Sequence, residues 1–171
     1  MAQDEVIGRL ARQIDATQKA ERFLVHADQV ANLRRQGACD LHHACAEFVS
    51  SVNAQLSEAS LDLSPPTYAP EFFRESGANL IQISSQGRQV QIAFAATSQL
   101  VSTEKFAIPY VIEGEVRTYN QTMLDRFEIR NLLIFLCVEE GTTKWRFFDW
   151  RTRSTGTIDR GLFASLMEPL F

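Results

Sequence analysis

Proline and glycine are scarce in the first third of this 171-residue chain. No proline precedes Pro65, and the only glycines before it are Gly8 and Gly37. Because these two residue types interrupt helices most strongly, their near absence favours helical structure over residues 3–58. The overall composition, 45% hydrophobic and 22% charged, excludes a disordered chain and a fibrous repeat and is typical of a single globular domain.

The sequence also has few cysteines and no long apolar run. An odd number of thiols without a repeating spacing excludes a disulfide framework and is typical of a reducing compartment; they are Cys39, Cys45 and Cys137. The longest apolar run, residues 132–138, is too short to span a bilayer, and acidic residues stand where a secretory signal carries lysine or arginine. We therefore expect a cytoplasmic protein without a membrane partner.

The chain has no basic excess, since its formal net charge is −4. Nucleic-acid binders gain affinity by releasing counterions with lysine and arginine, so a nucleic-acid partner is disfavoured. Only residues 142–171 are net basic, with five basic and three acidic side chains. Any anionic ligand is therefore expected in this last part of the chain.

Two apolar stripes run through residues 3–58 at helical spacing. The first contains Ile7, Leu10, Ile14 and Thr17. The second is rotated by about 140° at 100° per residue and comprises Val30, Ala38, Leu41, Cys45, Phe48, Val52 and Leu56. A single straight helix would be roughly 84 Å long, about twice the width of a compact domain of this size. We favour two helices with a break between about Gln18 and His26; the alternative is one projecting rod that pairs with a second copy as in a coiled coil.

Arg34 lies in the middle of the second stripe, where an unpaired guanidinium would be costly to bury. Two interpretations stay open at this stage. Either this turn of the helix lies at the edge of the core, or Arg34 pairs with a carboxylate across an interface.

Residues 59–77 are expected to form a proline-rich linker and a short helix that begins at Pro70 and ends before Gly77. Residues 78–171 then have the composition of strands and a final helix. Three turns are predicted, at Gln86-Gly87, at Glu113-Gly114 and around residues 140–143. They place apolar residues opposite one another in the pairs Ile83/Val90, Ile81/Ile92, Val111/Val116, Val138/Trp145 and Leu136/Phe147.

The stretch from Asn120 to Arg130 allows either a helical turn or a strand. Thr122 followed by Asp125 is typical of a capping box, so we favour a helical turn that leads into a strand from about Leu132. That strand is apolar at every position to Val138, so both of its faces must be covered. The N-terminal helices can cover one face, and the C-terminal helix or a second subunit the other. The C-terminal helix is predicted over residues 158–167 with Thr157 as its N-cap.

These elements predict an α+β fold: an N-terminal helical pair, an antiparallel sheet of five to seven strands and a C-terminal helix, in one structural domain. Residues 1–58 form its helical part, residues 59–77 the linker and residues 78–171 the sheet with its closing helix.

The best candidate binding segment is residues 151–160, which combine arginines and hydroxyls with a flexible glycine before a helix N-terminus. Free backbone N–H groups and guanidinium donors at such a place can bind an anion or a phosphate. The residues are Arg151, Arg153, Ser154, Thr155, Gly156, Thr157 and Arg160. The spacing is not that of a nucleotide P-loop. The other interpretation is a strand-to-helix connection in which these residues only form the turn and the cap.

Other groups of polar and aromatic residues give weaker evidence for a metal, binding or catalytic site. Only Cys39 and His43 share a helix face in the sequence CDLHHAC, which is too few ligands for zinc, so we expect no metal and no cofactor. The alternating Arg and aromatic residues in KWRFFDWR fit a strand covered on both faces, and Asp149 within it is expected to be an ordinary partnered carboxylate. No nucleophile elbow or dinucleotide glycine motif is present, so no catalytic residue is assigned.

Two functions are compatible with this sequence. The first is a non-enzymatic protein-interaction module that acts as a homodimer and binds through its helices or its exposed sheet. The alternative is a domain that binds a small anionic or phosphate-bearing ligand, with or without catalysis, at residues 151–160.

Overall fold

The structure is a computed structural model that describes residues 2–23, 27–101 and 108–171. It has the α+β layout predicted from the sequence. The helices are α1 (Ala2–Phe23), α2 (Ala27–Asn53), α3 (Gln121–Asp125) and α4 (Arg160–Met167), with 3-10 turns at Pro70–Phe72 and Glu168–Leu170. The strands are β1 (Asp62–Ser64), β2 (Asn79–Ser85), β3 (Arg88–Val101), β4 (Tyr110–Tyr119), β5 (Arg130–Glu139), β6 (Thr142–Asp149) and β7 (Ser154–Thr157). All seven strands form one antiparallel sheet in sequence order.

The two-helix interpretation of the N-terminal part is confirmed. The pair consists of α1, which ends at Phe23, and α2, which begins at Ala27, and residues 24–26 of the predicted break lie outside the described residues. The apolar stripe of α2 packs on the sheet and its central residues are buried, namely Ala38, Leu41, Cys45 and Phe48. α2 ends at Asn53, five residues before the predicted limit, and Leu56 is exposed. Among the described residues, no helix is long and apolar enough to cross a membrane.

Gly37 allows α2 to approach the sheet closely. A Cβ at this position would lie 2.3 Å from Leu136 Cδ2, which is closer than atoms can pack. The Gly37 carbonyl also accepts a hydrogen bond of 2.6 Å from Trp145 Nε1 on β6. Glycine is therefore required where the middle of α2 crosses β5 and β6.

The first predicted hairpin is confirmed in its turn and in its register. Gln86 and Gly87 both have positive φ, 50° and 78°, as a two-residue type I′ turn requires. Ile83 lies opposite Val90, and Ile81 lies opposite Ile92.

The predicted turn at Glu113-Gly114 is wrong, because β4 runs without interruption through both residues. Gly114 lies opposite Phe94, and a Cβ there would lie 2.5 Å from the Ala93 carbonyl oxygen. Glycine is needed here for the close approach of two strands, and the sequence pattern does not distinguish this role from a turn. Val111 and Val116 therefore belong to the same strand and do not pair.

The third turn is correctly located but its predicted register is wrong by two residues. Glu140 and Gly141 form a two-residue turn with φ of 49° and 81°, where the prediction assumed four residues. Trp145 therefore lies opposite Leu136, and Phe147 opposite Ile134. A shift of two keeps every side chain on its predicted face, so the assignment of core residues is unaffected.

The helical turn between β4 and β5 is confirmed, but its cap differs from the prediction. Asn120, not Thr122, is the N-cap, and its side-chain oxygen accepts from Met123 N at 2.8 Å. The turn ends with hydrogen bonds from Phe127 N to Leu124 O (3.1 Å) and from Glu128 N to Met123 O (2.8 Å). This is the pattern of a Schellman motif.

β5 is buried on both faces, as its uniformly apolar sequence predicts. Leu132, Ile134, Leu136 and Val138 join the main core under α2. The opposite face carries a second buried cluster formed by Tyr110, Phe135, Cys137 and Phe148, against which Ile108 and Leu133 pack.

The opposite face was predicted to be covered by α4 or by a second subunit, and α4 does not cover it. Phe163 and Met167 of α4 belong to the main core, and the Phe163 ring lies 5.7 Å from the Phe48 ring of α2. α2 and α4 therefore share one face of the sheet. Phe135 and Cys137 are nevertheless buried within a single chain, so their burial requires no second subunit.

Candidate functional site

Residues 151–160 form a turn, an edge strand and the start of α4. Arg151 lies in the turn after β6, where its backbone N donates to Asp149 Oδ1 at 2.9 Å. Its guanidinium lies 5.2 Å from the centre of the Trp150 ring. Arg153 is exposed and has a φ of 58°, so it is the left-handed residue of this turn. Asp149 thus has a structural partner, as expected.

The hydroxyls and the glycine of this segment make contacts that shape the strand β7. Thr155 Oγ1 donates to the Phe147 carbonyl at 2.8 Å, and Ser154 Oγ lies 2.7 Å from the hydroxyl of Thr152. Gly156 lies against the Phe147 ring, since a Cβ there would lie 2.9 Å from Cε1. These contacts fit the other interpretation of the segment, in which it only connects a strand to a helix.

The helix N-terminus that was to complete the anion site is capped by a carboxylate. Asp159, not Thr157, is the N-cap of α4, and its Oδ1 accepts from Leu162 N at 2.9 Å. Thr157 is the last residue of β7. A carboxylate satisfies one of the helix N–H groups and places negative charge where an anion would bind.

The arginines of the segment are not brought together either. Arg151 and Arg153 precede β7, whereas Arg160 follows it, roughly 10 Å further along an extended strand. Arg160 Nη1 lies 3.4 Å from Ser51 Oγ of α2. Anion binding at residues 151–160 stays a prediction, and the described contacts supply no cradle for it.

The Cys and His residues of α2 have separate structural surroundings. His42 is buried, with its Nε2 2.7 Å from the Pro65 carbonyl and its ring stacked on Tyr68 at 5.4 Å. His43 is exposed and lies 3.4 Å from Glu47. Among the described residues, no group of three or more His, Cys, Asp or Glu side chains is placed to hold a metal ion.

Burial weakens the reactivity of the thiols, because desolvation disfavours the thiolate. Desolvation raises the pKa of the Cys45 thiol to about 12. It also raises the pKa of Cys137 to about 12, with a further contribution from Glu139. The pKa of Cys39 is raised by desolvation and by the neighbouring carboxylate of Asp40. None of these environments activates a nucleophile.

Arg34, for which two interpretations were open, makes its contacts within the chain. Its Nε donates to the Val111 carbonyl at 2.9 Å, its Nη2 donates to the Thr97 carbonyl, and its Nη1 lies 2.9 Å from Glu75 Oε2. The guanidinium therefore attaches α2 to β3, β4 and the linker at the edge of the core. Its charge supplies no argument for an interface between subunits.

Among the described residues, the most prominent exposed apolar surface is the stripe of α1. Ile7, Leu10 and Ile14 are 63%, 53% and 54% exposed, and neighbouring Val6 is 52% exposed. Removing large aliphatic side chains from water is favourable, and a row of them on one helix face marks an interaction surface.

The stripe follows a coiled-coil heptad over two repeats. Ile7 and Ile14 occupy a positions, and Leu10 and Thr17 occupy d positions. The positions that flank it are uncharged, namely Val6, Ala11, Gln13 and Gln18. The charged side chains between them point away from the stripe, namely Arg9, Arg12 and Asp15.

A second exposed apolar position was missed by the sequence analysis. Phe127 is 95% exposed and occupies the C′ position of the Schellman motif with a φ of 55°. Glycine or asparagine is usual at this left-handed position. The sequence left residues 120–130 open between a helical turn and a strand, and no local signal marks a phenylalanine as the residue that ends a helical turn.

Comparison of the chain with protein-family models, with curated proteins and with solved structures gives no match. The fold and these surfaces therefore carry the functional argument.

Proposed function

We propose that this protein is a non-enzymatic protein-interaction module that acts as a homodimer, and that α1 forms the dimer contact. The observation that carries the proposal is the exposed stripe of Ile7, Leu10 and Ile14 on a 22-residue helix. A second copy presents the same stripe, so the surface is self-complementary, as a twofold interface requires.

The charge pattern of α1 supports self-association. Two copies of one helix bring identical side chains near one another, so charges beside the stripe would repel. Ala11, Gln13 and Gln18 flank the stripe instead and carry no charge. Within residues 6–18, the charged side chains Arg9, Arg12 and Asp15 lie on the other side of the helix.

The size of the stripe sets the expected affinity. Covering the exposed half of an Ile or Leu side chain contributes about 1 kcal/mol, so six side chains in a pair contribute about 6 kcal/mol. Association itself costs roughly 4–15 kcal/mol in lost freedom. The stripe alone therefore offsets only the lower part of this cost, so the dimer is expected to be weak and reversible.

The non-enzymatic part of the proposal is supported by what the reactive groups contact. His42 binds a backbone carbonyl, Asp149 and Asp159 hold turns and caps, and Cys45 lies in the core. Each of these side chains has a structural role in the described fold.

Light scattering of two variants tests the proposal. Ile14→Glu places a charge in the stripe and is expected to abolish the dimer, because each copy would bury a like charge. Ala16→Glu introduces the same charge on the solvent side of α1, two residues away, and should leave the dimer intact. Equal masses for wild type and Ile14→Glu at every concentration would refute dimerisation through α1.

A further inference from the structure

We infer that one end of the sheet binds the surface of an anionic membrane. The surface, called the basic tip below, is formed by residues 124–130, which lead from α3 into β5, and by residues 150–153, which lead from β6 into β7. The inference goes beyond the proposed homodimer, and neither depends on the other.

The two segments of the basic tip are neighbours because β5 and β6 pair as antiparallel strands. Leu133 lies opposite Phe148, so the start of β5 and the end of β6 meet at the same end of the sheet. Trp150 Nε1 donates to Asn131 Oδ1 at 3.4 Å, which joins the second segment to the strand that follows the first. Pairing and contact therefore bring the two segments to one place.

Exposed apolar side chains are concentrated at the basic tip. Phe127 is 95% exposed, Trp150 is 48% exposed, and Ile129 and Leu124 are 38% and 36% exposed. Phe127 also has a φ of 55°, a conformation that glycine adopts without strain and phenylalanine does not. A strained position whose ring is almost fully exposed points to a role outside the fold.

The arginines give the basic tip a charge opposite to that of the whole chain. Its two segments contain four arginines and two acidic residues, a net charge of +2, whereas the chain carries −4. The sum stays positive when Asp149, which borders the second segment, is included. All four arginines are exposed, and the salt bridges in the described part of the chain join other residues. Their charges are therefore available to an anionic partner.

The combination of aliphatic, aromatic and basic side chains fits a lipid surface better than a nucleic acid. Single-stranded nucleic acid binds by stacking its bases on aromatic rings, but Ile129 and Leu124 have no ring. The Arg151 guanidinium also covers one face of the Trp150 ring, 5.2 Å from its centre. At a membrane, apolar side chains enter the boundary between headgroups and acyl chains, tryptophan lies at the headgroup level, and arginines contact anionic lipids.

The sequence analysis expected no membrane partner because no segment is long enough to span a bilayer. Binding at the membrane surface requires no such segment, since exposed apolar side chains and basic charges act together in the headgroup region. The basic tip supplies both.

Co-sedimentation of the full chain with lipid vesicles tests the inference. The vesicles contain phosphatidylcholine alone or phosphatidylcholine mixed with phosphatidylserine. Binding should be several-fold stronger to the anionic mixture, and added salt should weaken it. The fluorescence emission of the exposed Trp150 should shift to shorter wavelength on binding, whereas Trp145 is already buried in the core. Trp150→Phe should lose this shift and keep most of the binding.

Matched variants distinguish the basic tip from the rest of the surface. Phe127→Ala should weaken binding to the anionic vesicles about tenfold, because an apolar ring no longer enters the lipid. Arg130→Gln should weaken it about fivefold through the loss of one charge. Phe72→Ala and Arg35→Gln remove the same residue types from exposed positions elsewhere and should leave binding unchanged.

Equal binding to neutral and anionic vesicles, or no binding to either, overturns the inference. Full binding by Phe127→Ala also overturns it, since the ring would then make no contact with lipid. Binding to a random single-stranded oligonucleotide that Phe127→Ala weakens, without binding to vesicles, shows a nucleic-acid surface instead. The light-scattering variants of α1 test the homodimer separately, so the failure of one proposal is distinguishable from that of the other.

Discussion

Arg34 Nη1 lies 2.9 Å from Glu75 Oε2 of the same chain. This ion pair neutralises a positive charge that, in the sequence, stands inside an apolar stripe. With Arg34 satisfied by Glu75 and by two carbonyls, and with Phe135 and Cys137 buried in the single chain, neither feature calls for a second subunit. Of these features, only the exposed stripe of α1 favours association.

Replacing Arg34 is expected to destabilise the fold strongly. Arg34→Met leaves the Val111 and Thr97 carbonyls without their guanidinium donor and should lower the free energy of unfolding by about 2–4 kcal/mol. Arg35→Met removes a charge from an exposed neighbouring position and should change it by less than about 0.5 kcal/mol. Urea unfolding monitored by circular dichroism measures both, and equal effects would show that Arg34 contributes only as a charge.

Gly8 of α1 and Gly37 of α2 should respond to alanine in opposite ways. Gly37→Ala places a Cβ 2.3 Å from Leu136 Cδ2 and should cost about 1–3 kcal/mol, because the buried leucine must move. Gly8→Ala meets only the end of the Arg12 side chain at 3.9 Å and should stabilise α1 by about 0.5–1 kcal/mol. Thermal unfolding of both variants tests the close approach of α2 to the sheet, and a tolerated alanine at position 37 would contradict it.

Phe127→Gly is expected to make the protein more stable. Glycine adopts the left-handed conformation without strain, and the exposed ring contributes no burial, so the gain should be about 0.5–1 kcal/mol. Phe127→Ala removes the ring but keeps a Cβ at a φ of 55°, and its stability should stay close to that of wild type. Differential scanning calorimetry distinguishes the two. A loss of stability in Phe127→Gly would mean that the ring packs against the protein.

Stability should fall at alkaline pH because of the buried thiols. The pKa of Cys45 is about 12 in the fold against an ordinary 9.0, so the unfolded chain loses this proton first as the pH rises. The resulting stabilisation is complete below pH 9.0 and is lost between pH 9.0 and about 12, at about 1.4 kcal/mol per pH unit for each such group. Urea unfolding at a series of pH values measures this slope.

Cys45→Ala is the control for the alkaline effect. It should lower the free energy of unfolding at neutral pH by leaving a small cavity. It should also reduce the pH dependence of that free energy above pH 9.0 by the contribution of one proton, about 1.4 kcal/mol per pH unit. Cys137, whose pKa is also about 12, keeps its own contribution in this variant. A variant with the wild-type slope would contradict the assignment to Cys45.

Local rules predicted those elements of the fold that local interactions determine. Gln86-Gly87 forms a turn because the two strands leave it with matching apolar residues. Glu113-Gly114 also resembles a turn in the sequence. In the structure, however, Gly114 allows a close tertiary contact with Ala93 and Phe94, and no residue near it in the sequence indicates this contact. The side of the sheet on which α4 packs is likewise a tertiary property, since the apolar faces of α2 and β5 are compatible with either arrangement.

The candidate surfaces were predictable to a similar extent. The stripe of Ile7, Leu10 and Ile14 is visible in the sequence, but its exposure required the structure. Residues 151–160 have the composition of an anion site, but the capping carboxylate of Asp159 and the distance between the arginines follow from where β7 ends. The exposure of Phe127 depends on a backbone conformation that the sequence does not indicate.

Sedimentation equilibrium of the wild-type chain tests the central claim most directly. Measured from roughly micromolar to roughly millimolar protein, the weight-average mass should rise from 19.4 kDa toward twice that value. The Ile14→Glu chain should stay at 19.4 kDa, and the Ala16→Glu chain should follow the wild type. A wild-type mass of 19.4 kDa over the whole range would contradict the homodimer.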